Sequence, residues 1–367
     1  MKKDVRDILS HFSIAGQFSG ATPVLTGHIN DSYTIYTDGN SEPTYFLQWI
    51  NSYIFKDVPG LMRNILAVTN HLASRQPSVH ENTAQLRLIP TAEGEFFYKD
   101  KEENYWRLYN YVPGTHSYDV VDDPKIAYEG GKAFGKFSSN LADLPADQLS
   151  DTIPDFHNME TRLAAFFQSV MDDKAGRRKE VEAEIAFVEE RASVMLSIPE
   201  MVRRGEIPLR ITHNDTKFNN ILFDGSNHAV CIVDLDTVMP GSILFDFGDA
   251  IRTGANFADE DEKDLNKVNI NLPIYEAYTR GFIASTSKSL TQNEKDHLAF
   301  AARFMTFIIG LRFLTDYLDG DHYFRTLYPD HNLVRARVQF RLVEKMEENA
   351  LFMENIVQSA LDEYVTH

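Results

Sequence analysis

The sequence predicts an α+β fold of two lobes, an N-terminal, mainly antiparallel β lobe over residues 1–112 and a larger helical lobe over residues 113–367. Three observations lead there. Short β-rich segments separated by turn chemistry fill the first third of the chain. Pro113-Gly114 closes the last of them. Beyond that pair apolar residues recur at helical spacing almost to the end, interrupted by one polar loop and a hairpin at 212–236.

Composition bounds the function. With 43% hydrophobic and 25% charged residues over 367 positions the chain is globular and has room for two cores. A formal net charge of −18 argues against nucleic acid or an anionic membrane as partner. The single cysteine, Cys231, excludes an intrachain disulfide and sits in an apolar run. Asp4, Arg6 and Asp7 interrupt any signal-like apolar start, and Arg303 and Arg312 break the most apolar later stretch, so a cytoplasmic, unanchored protein is expected.

Taken in order, Val5, Ile8, Leu9 and Phe12 have helical spacing, which predicts a short helix over 4–18. Strands are expected at 22–25, 32–37, 45–50, 85–91, 95–99 and 105–112, with a helix over 57–74 between them. The first hairpin encloses Thr26-Gly27-His28-Ile29-Asn30-Asp31-Ser32, whose backbone N–H groups and small polar side chains suit nucleotide phosphates, as they suit an ordinary turn. Gln48 stands on the third strand where a nucleotide-binding lobe of the kinase type carries a lysine; an amide donates a hydrogen bond but brings no charge. Tyr109 and Tyr111 lie in the last strand and hinge, whose main chain would meet an adenine edge. An aromatic edge strand would read the same way.

Asp123-Pro124 marks a helix start, and Gly130, Gly131 and Gly135 suggest close packing along its side. Helices follow at about 159–171 and 178–204. The loop Thr212-His213-Asn214-Asp215-Thr216-Lys217-Phe218-Asn219-Asn220 then feeds the apolar run Ile221-Leu222-Phe223. Phosphoryl transfer explains its residue types: Asp215 to orient the acceptor hydroxyl and take its proton, Asn220 to offer an amide oxygen to magnesium, Lys217 to offset charge on the transferring group. A turn at Asp224-Gly225-Ser226-Asn227 and the run 229–233 complete a hairpin ending in Asp234-Leu235-Asp236, which brings Asn220 level with Asp234, a second oxygen ligand for a hard cation.

His213-Asn214-Asp215 with Asn220, followed by Ile232-Val233-Asp234-Leu235-Asp236, resembles the catalytic and metal-binding motifs of the aminoglycoside phosphotransferase family, and the resemblance runs over nearly the whole chain. Residues 213–220 and Phe245-Asp246-Phe247-Gly248-Asp249-Ala250-Ile251-Arg252 are most similar to its branch that phosphorylates N-acetylhexosamines. The resemblance implies a two-lobe protein-kinase-like fold, ATP as co-substrate, Mg2+, and transfer to the anomeric hydroxyl of N-acetylglucosamine or N-acetylgalactosamine. It implies acceptor contacts from Asp215, Asp236, Arg312 and Tyr323, nucleotide contacts from Asn30, Asp31, Ser32, Gln48, Tyr109 and Tyr111, a place for His157 near the sugar, and Asp246 as a brace for the catalytic loop.

A capping box at Thr291-Gln292-Asn293-Glu294 opens a helix apolar all round through 298–314, hence buried. Arg312 lies on it with Asp316 one turn later, so an internal ion pair and an arginine aimed at the acceptor are both open. A last helix is expected over 332–363. Two rivals stand beside the sugar kinase: another small-molecule kinase acting on an aminoglycoside, choline or homoserine, and a non-catalytic ATP-binding protein suggested by Gln48.

Overall fold

The computed structural model describes residues 4–25, 29–75 and 85–365. In chain order its elements are α1 (Val5–Leu9), β1 (Phe18–Val24), β2 (Asp31–Thr37), β3 (Tyr45–Ile50), α2 (Val58–Arg75), β4 (Tyr98–Lys99), β5 (Tyr105–Asn110), α3 (Pro124–Asn140), α4 (Met159–Asp172), α5 (Glu182–Met195), α6 (Ser197–Arg203), β6 (Arg210–Thr212), β7 (Ile221–Phe223), β8 (Ala229–Ile232), β9 (Met239–Gly241), α7 (Ile243–Gly254), α8 (Leu272–Thr286), α9 (Gln292–Asp319), α10 (His331–Glu348) and α11 (Ala350–Val365). The antiparallel N-terminal sheet and larger helical remainder are the α+β fold expected. Two compact units form: one from Met1–Ser117, Asp143–Pro154 and Asn220–Pro240, the other from Tyr118–Ala142, Asp155–Asn219 and Gly241–His367. The first break falls near the expected boundary at 112; the two later returns to the first unit leave no composition signal.

The first unit is built on a five-stranded antiparallel sheet in the order β1-β2-β3-β5-β4. Alternation along β3 turns Tyr45 and Leu47 into the core while Gln48 faces the other way. Helix α1 is shorter than expected: Ser10 caps it, and Phe12 leaves the helix to bridge Thr91, because Ile8, Leu9 and Phe12 all reach the core of Ile35, Leu47, Trp106 and Leu108 that way. The expected strand at 85–91 is an irregular segment, bonded to β5 through Ile89 N to Leu108 O (2.8 Å) and Asn110 N to Arg87 O (3.0 Å). The Asn110 side chain accepts the Arg87 N–H (2.6 Å) and donates to the Gln85 carbonyl (3.0 Å), substituting side-chain bonds for ladder bonds. The strand expected at 95–99 shrinks to two residues.

Helix α2 carries a buried Asn64 that fastens the unit's distant segments. Its amide donates to Ser150 O (2.7 Å) and Val238 O (3.0 Å), and its oxygen accepts from Ser150 N (2.9 Å). The hairpin β7–β8 has Ile221 level with Ile232 and Leu222 with Cys231, with a bulge before Phe223. Its turn closes where the Asp224 carboxylate accepts Ser226 N and His228 N and Asn227 takes φ 63°, a conformation Asn tolerates.

In the second unit α3 starts at its Asp123 cap and packs most extensively on α8. A Cβ on Gly131 would overlap the Tyr278 carbonyl oxygen, and one on Gly281 the Tyr128 carbonyl oxygen, so the two backbones touch there as only glycine allows. The helix expected over 178–204 is two, α5 and α6, because Pro199 has no N–H to continue the ladder. Helix α9 opens with the expected capping box at Thr291 and Glu294 and is buried along most of its length. Among the described residues it alone is long and apolar enough to cross a membrane, and 72% of that window is buried inside the fold, as in a core helix.

Candidate active site

Strand β6 delivers the chain into the loop that carries His213, Asn214 and Asp215. Asn214 adopts φ 63°, and its side chain is tied to Thr212 by bonds to the hydroxyl (3.1 Å) and carbonyl (3.2 Å). The Asp246 carboxylate on α7 accepts the N–H groups of His213 (2.8 Å) and Asn214 (2.7 Å), and the Asp246 carbonyl accepts Thr216 Oγ1 (2.6 Å). Asp249, one turn on, accepts Thr216 N at 3.1 Å and pairs with Arg252 at 2.9 Å. Below the loop His213 is buried edge-on to Phe134 and Phe137. The Phe218 ring fills a slot that a Cβ on Gly130 or Gly254 would close. The loop backbone is thus fixed from both sides.

Held this way, Asp215 pairs with Lys217 at 3.0 Å, both side chains partly exposed. His157 is buried, and its Nε2–H donates to the Asn214 carbonyl at 3.0 Å; Nδ1 is left as a bare acceptor with no hydrogen-bond partner among the described residues. Burial pushes this imidazole down to about 4, with Asp249, Arg312 and Asp215 near enough to act on it. Burial lifts the Asp246 carboxyl to about 6 against the opposing pull of His213 and the two N–H bonds. A neutral His157 and a carboxyl at Asp246 that resists ionisation are the cost of building the loop in a dry interior.

Arg312 on α9 does not pair with Asp316. Asp316 accepts the N–H groups of His322, Tyr323 and Phe324 at 2.8–2.9 Å and the Asn332 amide at 2.8 Å, which spends it on folding the loop after α9. Arg312 is buried, lies 5.3–5.6 Å from the rings of Phe156, Tyr323 and Phe324, and among the described residues has one hydrogen-bond partner, Tyr323 Oη at 3.3 Å. Burial lowers this guanidinium to about 10, and Arg162 and Arg252 push in the same direction.

The first unit holds the remaining predicted residues. Val233 N donates to Asn220 O at 2.9 Å, so the hairpin register does bring Asn220 beside the segment that enters Asp234. Asp234 sits at φ 60°, ψ 58°, which turns the chain into Leu235–Thr237. Asp236 is buried and bound by the Arg107 guanidinium at both oxygens and by Asn30 Nδ2 at 2.6 Å. Asn30 Oδ1 accepts Asn51 N at 3.0 Å, and Asp31 starts β2 level with Trp49. Thr26, Gly27 and His28 lie outside the described residues. Tyr109 is buried in the sheet, with its phenol raised by burial, and Tyr111 N donates to Thr44 O at 2.9 Å.

Ser32, Gln48 and Arg107 stand level on β2, β3 and β5. Gln48 Nε2 donates to Ser32 Oγ (3.1 Å), and Gln48 Oε1 accepts Arg107 Nε (3.0 Å) and Nη2 (2.8 Å). Burial opposes the charge on Arg107, and Asp236, with Tyr109 and Asp234, outweighs it and holds the guanidinium above its usual range. Sequence reasoning singled out neither Arg107 nor Asn64. A buried arginine level with Gln48 could have been found by writing out the strand register.

A loop braced by a following helix, a hairpin and an antiparallel N-terminal sheet are the elements of a kinase-like fold, and the class of protein is a phosphotransferase. The sequence profile of the APH phosphotransferase enzyme family matches residues 32–278, and the chain belongs to that family. Its fold is similar to an aminoglycoside phosphotransferase from Alicyclobacillus acidocaldarius (12% identity, 96% of each chain covered, TM-score 0.64). It is also similar to amicoumacin kinase in complex with AMP-PNP, Ca2+ and Ami (12%, 94% of each chain, TM-score 0.61). A third structure, spectinomycin phosphotransferase with ADP and spectinomycin, matches at 13% identity over 94% of this chain and 98% of that one, TM-score 0.56.

Proposed function

We propose that the chain is an ATP-dependent sugar kinase that transfers the γ-phosphoryl group to the anomeric hydroxyl of an N-acetylhexosamine, N-acetylglucosamine or N-acetylgalactosamine, in the manner of N-acetylhexosamine 1-kinase. The observation that carries the acceptor class is Arg312: a buried guanidinium, backed by three aromatic rings, with no carboxylate partner among the described residues. An amine-bearing acceptor would meet repulsion there, whereas sugar hydroxyl and acetamido oxygens satisfy the donors and the rings offer a stacking face. The carboxylate of homoserine would satisfy them too, which is the second reading.

In this reading Asp215 accepts the hydroxyl proton as the new O–P bond forms and the bond to the leaving ADP oxygen breaks, and Lys217 offsets the charge that develops. Asn220 and Asp234 would hold Mg2+, whose chemistry is to neutralise and align the phosphates. Their amide and carboxylate oxygens suit a hard cation. Among the described residues no group of three or more His, Cys, Asp or Glu is gathered for a metal, so such an ion would take its other ligands from water and nucleotide, as Mg2+ commonly does. Asn30, Asp31, Ser32, Gln48, Tyr109 and Tyr111 are assigned to the nucleotide side and Arg312 and Tyr323 to the acceptor side, while Asp236, expected at the acceptor, has both oxygens bound by Arg107 and Asn30 and is assigned to holding that guanidinium.

The test is incubation with Mg-ATP and a panel of N-acetylglucosamine, N-acetylgalactosamine, homoserine, choline, ethanolamine and kanamycin, with phosphorus NMR locating the phosphate. A sugar 1-phosphate is expected; product only on an amine-bearing acceptor, or at a non-anomeric oxygen, overturns the acceptor assignment. Asp215→Asn is expected to lower kcat by at least ~10²-fold with nucleotide affinity retained, and near-normal turnover would remove Asp215 from its role.

A further inference from the structure

In a kinase-like lobe the positive charge that meets the α/β-phosphates stands on the third strand. Here that strand offers Gln48, and both ends of its amide are engaged, one on Ser32 and one on Arg107. Arg107 is directly across from it on β5, about 4.8 Å away in the ladder direction. We propose that Arg107 supplies the phosphate-binding charge of the nucleotide site, delivered from β5 and aimed by Gln48 and Asp236, so that the expected lysine is not missing but displaced by one strand. The inference rests on the ATP reading given above.

Four observations carry it. Arg107 belongs to a continuous row, Ser32–Gln48–Arg107–Asp236–Asn30, whose members include the predicted phosphate-side residues. Two acceptors fix the guanidinium as a glutamate fixes the lysine of a protein kinase: Gln48 Oε1 on Nε and Nη2, Asp236 on Nη1 and Nη2. Of its five N–H groups, these bonds use four, and the fifth, on Nη1, has no acceptor among the described residues. Asp234, the proposed magnesium ligand, is near enough to act on the same charge. A buried ion pair is weak evidence for stability, since apolar residues of similar volume often serve as well. A pair kept in one polar row with Asn30, Ser32 and Gln48, the residues expected on the phosphate side, fits a role toward the ligand.

The test compares wild type with Arg107→Gln/Asp236→Asn, which removes the charge without stranding a buried carboxylate, and with that variant carrying Gln48→Lys, which restores a charge from β3. Binding of adenosine and of Mg2+ with a non-hydrolysable ATP analogue is measured by calorimetry or ligand-observed NMR. The double variant is expected to lose at least ~10-fold in affinity for the Mg2+-nucleotide and under ~3-fold for adenosine, and added Gln48→Lys to recover most of the loss. Unchanged nucleotide affinity in the double variant, equal losses for both ligands, or no recovery with lysine overturns the proposal. Arg107→Lys serves if the neutral pair does not fold: it keeps the charge and is expected within ~5-fold of wild type for the nucleotide, and a parallel fall for adenosine counts against the role. A wild type that binds no Mg2+-nucleotide sinks the ATP reading and this inference together, whereas a wild type that binds it and a variant that binds it equally sinks only the inference.

Discussion

At the scale of the residue, Asp246 shows how a side chain that touches no reacting atom shapes the chemistry. Its two oxygens accept two successive loop N–H groups, one each. Asparagine offers one oxygen and turns an NH2 toward an N–H, so a buried donor is left unpaired. Asp246→Asn is therefore expected to cost about 1–3 kcal/mol in stability and to lower kcat by ~10-fold or more while leaving nucleotide affinity near wild type. Urea unfolding and steady-state kinetics check it together, and unchanged kcat in a folded variant would make the brace dispensable. The same carboxylate was expected as a loop brace only through the resemblance of residues 245–252 to related kinases. Arg107 was not, because its meaning lies in a cross-strand partner and a turn 129 positions away.

At the scale of the element, the glycines of α3 and α8 set how closely the two helices cross. Gly131→Ala would drive a methyl group into the Tyr278 carbonyl, and backbone cannot step aside as a flexible side chain does. The expected cost is about 1–3 kcal/mol, read as a lower denaturant midpoint at unchanged slope. Lysine 132, exposed on the next position of the same helix, is the control: Lys132→Ala should change the midpoint little. Elements with strong local signals were read correctly from sequence, among them β3, the hairpin β7–β8, the cap of α3 and the box at Thr291. Those that failed were decided by something outside the segment: Phe12 leaving α1 for the core, Asn110 replacing ladder bonds at 85–91, Pro199 dividing α5 from α6.

At the scale of the whole molecule, stability against pH combines two buried groups of opposite sign. His157 titrates near 6.5 unfolded and about 4 folded, so as pH falls from 6.5 to 4 the unfolded chain takes its proton first and stability drops. Asp246 titrates near 3.8 unfolded and about 6 folded, so as pH falls from 6 to 3.8 the folded chain takes its proton first and stability rises. Each contributes about 3 kcal/mol at full extent, and the two largely offset. Relative to wild type, His157→Gln should gain stability between pH 7 and 4.5 and Asp246→Asn should lose it. Parallel unfolding curves at both pH values for all three proteins would show that these groups do not set the profile.

The sequence by itself determined the α+β fold class, the helix caps and the loop and hairpin that carry Asp215, Asn220 and Asp234, because periodicity, capping and turn chemistry act over a few residues. Only the tertiary structure decided that Asp316 is spent on a loop, that Arg312 has no carboxylate partner among the described residues, and that Gln48 is the companion of Arg107. The reason is physical: which buried polar groups find each other depends on strand register and helix packing across dozens of residues, and no local pattern encodes that pairing.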